Sequence, residues 1–352
     1  MVMKKIYPKT VPRILIRAAN WVGDAVMSTP MIHSLRGNFP HAQIYILAKP
    51  WVAPVFENSP DIDRILIYES AGKHKGVSGI LRLAKNLRAY DFDMAFLIQN
   101  AFEAALISFF AGIPIRIGYN TDGRTFLLTH AVTMSREIKK RHQIAYYLGI
   151  LEGIGLHRFG TEMHLKISVP DRKQAGEILS TYGIRAEQGI IGINPGAAYG
   201  SAKRWPKDRY AQLCARLRQF RKDMPILVFG GPGEEKLGQE ICHMAGEGCV
   251  SIAGLTSLRE AMSLMERCRL FITNDSGLMH VAAALHVPQI AIFGPTDHST
   301  TSPADSASRM VRVPTLCSPC LKQECPLGHH QCMKAVSADM VFREAENMLK
   351  QI

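Results

Sequence analysis

The sequence predicts an α/β protein made of two doubly wound, Rossmann-like units facing across a cleft. Three observations lead there. Short β-branched runs alternate with stretches of helical spacing along the whole chain. The alternation breaks and restarts near residues 154–171, where Gly155, Gly160 and Pro170 interrupt it. The chain has 352 residues, about twice an ordinary domain. The expected division is 1–165 and 166–352.

In the first half the apolar runs are 13–17, 43–47, 64–68 and 93–98, with helical spacing over 25–38 and 80–89. In the second half the runs are 189–193, 225–229, 269–273 and 289–293, and helices are expected over 207–222, 234–246, 257–268, 278–286 and 337–350. Nearly continuous apolar strands followed by helices indicate parallel sheets covered on both faces. Such sheets bind ligands beyond the carboxyl ends of their strands. The apolar stretch 104–113 reads as a helix buried against the sheet, with a membrane contact as the alternative.

Composition excludes several classes. With 47% hydrophobic and 20% charged residues the chain is not disordered. Eight cysteines are too few for a disulfide-stapled scaffold. No apolar run reaches the roughly 18 residues of a membrane span. The start lacks an apolar segment ahead of a small-residue cleavage site, so the expectation is a cytosolic protein without a signal peptide. The net charge is +12, and it is uneven: up to Pro170 there are 21 basic and 12 acidic residues, beyond it 21 and 18. A basic first half suits a polyanionic partner: nucleic acid, an anionic membrane or a phosphorylated substrate.

Three strand-to-helix turns carry candidate chemistry. In Asn20-Trp-Val-Gly-Asp24, Gly23 allows a tight turn and Asp24 lies at the carboxyl edge of the sheet. A carboxylate there can take a proton from a bound hydroxyl; it can equally be a helix cap. Asn194-Pro-Gly-Ala-Ala-Tyr-Gly-Ser-Ala-Lys-Arg-Trp-Pro206 joins small residues, whose backbone admits an anion, to the cations Lys203 and Arg204. It is not a P-loop, because Gly-x4-Gly-Lys-Ser/Thr is absent. In Thr273-Asn-Asp-Ser-Gly-Leu-Met-His280 the N–H groups at Ser276, Gly277 and Leu278 open a helix and can hold a diphosphate, with His280 in reach. Capping by Asp275 or Ser276 is the plainer alternative. The Gly-rich turn 229–235 brings Glu234 or Glu235 toward ribose hydroxyls. The pairs Asp61/Asp63 and Asp91/Asp93 precede strands, at the wrong edge for a metal, and read as solvated turn residues.

Taken together, Asn20-Trp-Val-Gly-Asp24, Pro195-Gly-Ala197, Ala202-Lys-Arg-Trp-Pro206 and Asn274-Asp-Ser-Gly-Leu-Met-His280 resemble the ADP-heptose:lipopolysaccharide heptosyltransferases of GT-B architecture. Trp-Val-Gly-Asp and Ala-Lys-Arg-Trp-Pro look like the type II members rather than type I. The resemblance implies that Asp24 is the general base, that Lys203 contacts the diphosphate or the heptose, and that Ser276, Gly277 and His280 cradle the diphosphate. It implies hydroxyl contacts for Asp275 and ribose for Glu234. The implied donor is ADP-heptose and the implied acceptor is heptosyl-Kdo2-lipid A, met at the cytoplasmic face of the inner membrane by a peripheral enzyme. No cofactor is required for catalysis on this reading. Lys73, Lys75, Arg136, Lys139, Lys140 and Arg141 are candidate contacts to the acceptor and the anionic membrane surface. Type I or III members, or a GT-B transferase for another sugar, are the enzymatic alternatives. A basic nucleotide- or nucleic-acid-binding module is the other, although no helix-turn-helix or aromatic RNA platform supports it and no nucleic acid is expected.

Cys317, Cys320, Cys325 and Cys332 lie within 16 residues, with His329 and His330 among them. In a reducing compartment such density suggests a structural Zn2+. Cys214, Cys242, Cys249 and Cys268 read as scattered core thiols.

Overall fold

The computed structural model describes residues 12–185 and 187–351. The chain divides into two compact units, 1–166 and 167–352. Each is built on a six-stranded sheet with every strand parallel to its neighbours.

In the first unit the strands are β1 (Arg13–Arg17), β2 (Gln43–Ala48), β3 (Arg64–Ile67), β4 (Met94–Leu97), β5 (Ile115–Tyr119) and β6 (His130–Val132). Their spatial order is β3-β2-β1-β4-β5-β6. The helices are α1 (Val22–Met27), α2 (Thr29–Asn38), α3 (Gly76–Arg88), α4 (Phe102–Phe110), α5 (Arg136–Lys140) and α6 (Gln143–Glu152). The order reverses between β1 and β4, so the loops leaving those two strands diverge and open a crevice between them. Asp24 follows β1.

The second unit repeats the plan. Its strands are β7 (Ile190–Asn194), β8 (Ile226–Val228), β9 (Cys249–Ser251), β10 (Cys268–Asn274), β11 (Gln289–Phe293) and β12 (Ser308–Arg312), ordered β12-β11-β10-β7-β8-β9. Its helices are α7 (Val169–Thr181), α8 (Lys207–Phe220), α9 (Glu235–Ala245), α10 (Leu258–Met265), α11 (Gly277–Ala284), α12 (His298–Thr301), α13 (Gln331–Lys334) and α14 (Ala338–Leu349). The reversal falls between β7 and β10, the strands that lead into the Lys203 and Gly277 turns. A core of Ile191, Ile193, Leu213, Leu217, Leu270 and Ile272, all fully buried, holds this sheet against α8 and α14.

The architecture expected from the alternation is the one observed, with corrections in detail. β5, β6, β9 and β12 are not evident from periodicity. β6, β9 and β12 are outermost strands, and β9 and β12 carry no continuous apolar run. β5, Ile-Arg-Ile-Gly-Tyr, is interrupted by Arg116 and Gly118. The expected helix over 25–38 is two helices. Pro30 has no N–H to continue the first, and it sits at the start of α2 where none is needed. The stretch 104–113 is largely covered by α4, which buries Ala104, Ala105 and Ile107.

The Asp pairs are not simply solvated. Asp61 is 5% exposed beside His33, at 3.1 Å. Asp63 accepts from the Ile44 N–H at 2.7 Å and from Arg36 at 2.6 Å, and Asp93 accepts from the Arg13 N–H at 2.8 Å. Asp63 and Asp93 satisfy N–H groups at the amino ends of β2 and β1, while Asp91 is exposed as expected. Among the described residues no helix is long and apolar enough to cross a membrane.

Candidate active site

In the first unit the β1–α1 turn is pinned from below. Arg17, 2% exposed, donates to the Ala18 carbonyl at 2.6 Å and to Asn20 Oδ1 at 2.9 Å. Burial lowers its guanidinium to about 10, against the pull of Glu103 and Tyr68. The Trp51 indole N–H donates to the Asn20 carbonyl at 3.0 Å. The helix starts at Val22, with extended Trp21 at the cap position and no side-chain cap bond. Asp24 is therefore not the cap; it stands in the first turn, half-buried, where the free N–H ends favour a negative charge. Its Oδ1 accepts a hydrogen bond of 2.8 Å from the Tyr147 hydroxyl on α6.

The six candidate acceptor-binding cations are exposed. Lys73 and Lys75 follow β3, while Arg136, Lys139, Lys140 and Arg141 follow β6. They mark opposite ends of the carboxyl edge, five strand spacings or about 24 Å apart. Lys73 pairs with Glu69 at 2.7 Å and Arg141 with Glu152 at 3.9 Å.

In the second unit the two anion-friendly turns are stitched together by asparagines that close their strands. Asn274, fully buried, donates to the Pro195 carbonyl at 2.7 Å and to the Gly196 carbonyl at 3.3 Å. Its Oδ1 accepts from the Trp205 N–H at 3.2 Å and the Tyr210 hydroxyl at 2.9 Å. Asn194 donates to Thr273 Oγ1 and Ser276 Oγ, both at 2.9 Å. Ser276 takes the cap position of α11 without a side-chain cap bond, so its hydroxyl does not consume the helix's first N–H groups. Ser276, Gly277 and Leu278 are half-exposed, and His280 is buried in the same helix.

Lys203 and Asp275 form an ion pair of 2.7 Å, with side chains 14% and 5% exposed. Thr296 Oγ1 donates to the same Asp275 oxygen at 2.6 Å, and the Lys203 ammonium lies 5.0 Å from the Tyr199 ring centroid. Asp275, for which sugar or phosphate-side hydroxyls are expected, is also the partner of Lys203. Its carboxylate holds the ammonium beside the α11 terminus. Glu234 accepts from the Gly231 N–H at 2.9 Å and lies 3.5 Å from Arg204. It packs so closely on Gly196 that a Cβ there would come within 2.2 Å of its oxygen. Glu235 instead accepts from the Gly233 N–H at 3.1 Å, so Glu234 is the carboxylate beside the Lys203 turn.

The cysteine-rich loop braces that turn. Ala202 N–H donates to the Gln323 carbonyl at 2.9 Å, and the Tyr199 hydroxyl to the Leu321 carbonyl at 3.1 Å. Cys317, Cys320, Cys325 and Cys332, with His329 and His330, line one cavity of about 20 Å³ that Ala202 also touches. Cys325 Sγ accepts from the His330 N–H at 3.4 Å, and such backbone donors, His330 first, lower its thiol from the ordinary range. The side chains do not converge: among the described residues no three His, Cys, Asp or Glu groups are placed to hold a metal. Two of the other cysteines are not scattered, because Cys242 Sγ and Cys249 Sγ lie 2.9 Å apart.

Comparison with known proteins matches residues 80–331 to the family described as glycosyltransferase family 9 (heptosyltransferase). Lipopolysaccharide heptosyltransferase 2 of Salmonella typhimurium is 30% identical over 347 residues, covering 96% of this chain and 99% of that protein. The solved ADP-heptose lipopolysaccharide heptosyltransferase II of Escherichia coli superposes with a TM-score of 0.81 at 28% identity, covering 96% of this chain and 99% of the other. A glycosyltransferase family 9 structure from Veillonella parvula gives 0.84 at 25% identity, covering 97% and 98%.

Sequence reading missed Asn194, Asn274, Thr296, Arg17 and Tyr147. A signal existed for the asparagines: each ends an apolar strand at the point where strand order reverses. Replacing Asn274 by Ala strands the Trp205 N–H and the Pro195 carbonyl and leaves the Tyr210 hydroxyl only its 3.3 Å bond to the Asn194 carbonyl. Urea titration should show Asn274→Ala less stable than wild type by about 2–4 kcal/mol.

Proposed function

Because the chain belongs to glycosyltransferase family 9, the heptosyltransferases, we propose that it moves L-glycero-D-manno-heptose from ADP-heptose to the heptosyl-Kdo2-lipid A inner core of lipopolysaccharide, as a type II enzyme. One observation carries the mechanism. The crevice of the first sheet presents a carboxylate, and that of the second presents an ammonium beside a helix N-terminus.

The acceptor hydroxyl attacks the anomeric carbon of the donor and gives its proton to Asp24. The new glycosidic C–O bond forms as the bond to the β-phosphate oxygen breaks, so configuration inverts and ADP leaves with the electron pair. Negative charge grows on that phosphate. Lys203 and the N–H groups at Ser276 and Gly277 stabilise it, a reading supported by the ammonium held beside the start of α11. Asp275 and Thr296 fix the ammonium beforehand, which spares the transition state that reorganisation. His280, buried in the same helix, is the further residue of this diphosphate cradle. The reaction requires the hydroxyl activated on the first unit to reach a donor held on the second.

The basic ends of the first unit's carboxyl edge fit a phosphorylated, carboxylated lipid acceptor and an anionic bilayer. On this reading Lys73, Lys75 and the 136–141 cluster draw the enzyme to the inner face of the inner membrane as a peripheral protein. For the cysteine loop we propose a structural zinc, supported by the donor chemistry of four thiols lining one small cavity; the thiols, which do not converge here, would have to close in on the ion.

Purified enzyme should transfer heptose from ADP-heptose to an acceptor bearing one heptose, and not to acceptors bearing Kdo alone or two heptoses; transfer to either of those reassigns the step. Asp24→Asn should lower kcat by about 10²–10⁴-fold while ADP still binds. Lys203→Ala should raise the donor KM about 10–100-fold, the loss of a charge-assisted contact. Elemental analysis should find one zinc per chain, absent from a Cys320→Ser, Cys325→Ser double variant. Wild-type protein purified without chelator and free of metal would remove the zinc.

A further inference from the structure

The carboxylate assigned as base is held by a residue that reaches it across 123 positions of sequence. Tyr147 is 5% exposed, and its hydroxyl donates to Asp24 Oδ1 at 2.8 Å. The ring is wedged in place. It meets Tyr146 edge-on, with centroids 5.3 Å apart. Tyr146 leans on Tyr119 at 4.8 Å, and the Tyr119 hydroxyl donates back to the Tyr146 carbonyl at 2.6 Å. Asn100 donates to the Tyr146 hydroxyl and accepts from the fully buried Arg124 at 2.9 Å. The helix cannot slide over Tyr119 either, since a Cβ at Gly149 would lie 2.4 Å from the Tyr119 hydroxyl. A rigid lattice from the β4, β5 and α6 elements thus ends on one oxygen of Asp24.

From this geometry we infer that Tyr147 is the positioning residue of the base: it fixes the Asp24 carboxylate in the orientation that receives the acceptor's proton. The inference rests on Asp24 being that base. A carboxylate accepts through either oxygen and turns readily when unrestrained. One permanent donor on Oδ1 sets the plane of the group and the direction of the remaining lone pairs. The donor is permanent because burial, then the neighbouring Asp24 charge, pushes the Tyr147 hydroxyl well above its ordinary value. A hydrogen bond to the charged form also stabilises it, so this is a well-aimed base rather than a strong one.

Titratable groups on the elements packed against α1 have partners of their own. Tyr146 is raised as well and is engaged by Asn100. On α2, His33 and Arg36 are taken by Asp61 and Asp63. The 53–56 turn packed on α1 is Ala-Pro-Val-Phe and carries no titratable side chain.

The test is Tyr147→Phe in the full-length enzyme, assayed with ADP-heptose and the one-heptose acceptor beside Asp24→Asn. Phe keeps the ring packing and removes only the donor. The expected result is a kcat about tenfold lower with both KM values within twofold of wild type. The acid limb of the kcat profile moves to higher pH, because a carboxylate that loses a donor to its charged form protonates more readily. A Tyr147→Phe enzyme with wild-type kcat and an unmoved acid limb overturns the inference. So does one whose melting temperature and KM values change while the limb stays. If Asp24→Asn is inactive in either of those cases, only the positioning role fails. If Asp24→Asn turns over normally, the base assignment itself is lost.

Discussion

The buried amide of Asn274 is the contact on which the site of the second unit depends. A primary amide with no water around it must find partners for two N–H groups and a carbonyl oxygen, or cost about 1–3 kcal/mol for each group left unmet. Asn274 finds all of them on the loop that leaves the neighbouring strand and on the first turn of the α8 helix behind it. Two turns from adjacent parallel strands, 79 residues apart where Asn274 meets Pro195, therefore behave as one rigid piece. Asn194 does the same work in the other direction through Thr273 and Ser276. Lys203 and the first turn of α11 inherit their relative position from this polar knot.

The charges built on that piece are arranged economically. An isolated lysine at 14% exposure would be poorly solvated, and Asp275 and Thr296 compensate it within the site. The pair is near neutral as a unit, and it sets the ammonium beside the N-terminus of α11. The first unit solves the opposite problem, holding one negative charge at the start of a helix with a neutral donor. Its buried cation, Arg17, is spent on the turn before Asp24 through the Ala18 carbonyl and Asn20.

Much of this was legible in the sequence, and for definite reasons. Strands such as Ile-Ile-Gly-Ile-Asn and Gln-Ile-Ala-Ile-Phe are apolar on both faces, which announces a covered parallel sheet. Strand-to-helix turns rich in Gly, Asn and Asp announced which loops leave the carboxyl edge of each sheet beside its reversal of strand order. The outer strands β6, β9 and β12 escaped notice because they lack that continuous apolar character. That Asp24 is not the helix cap follows only from the helix starting at Val22, which no sequence window shows.

Local chemistry and order along the chain thus determined the two doubly wound units, the turns that matter and the residue types placed on them. Tertiary structure alone decided which side chains restrain those residues: Tyr147 on Asp24, Asp275 on Lys203, Asn274 on the paired turns, and the cysteine loop beneath Ala202. Backbone periodicity is set by neighbours three or four positions away and is written in every window of sequence. A hydrogen bond between residues 72 or 123 positions apart leaves no such periodic trace, because it exists only once the sheet has brought its partners within 3 Å.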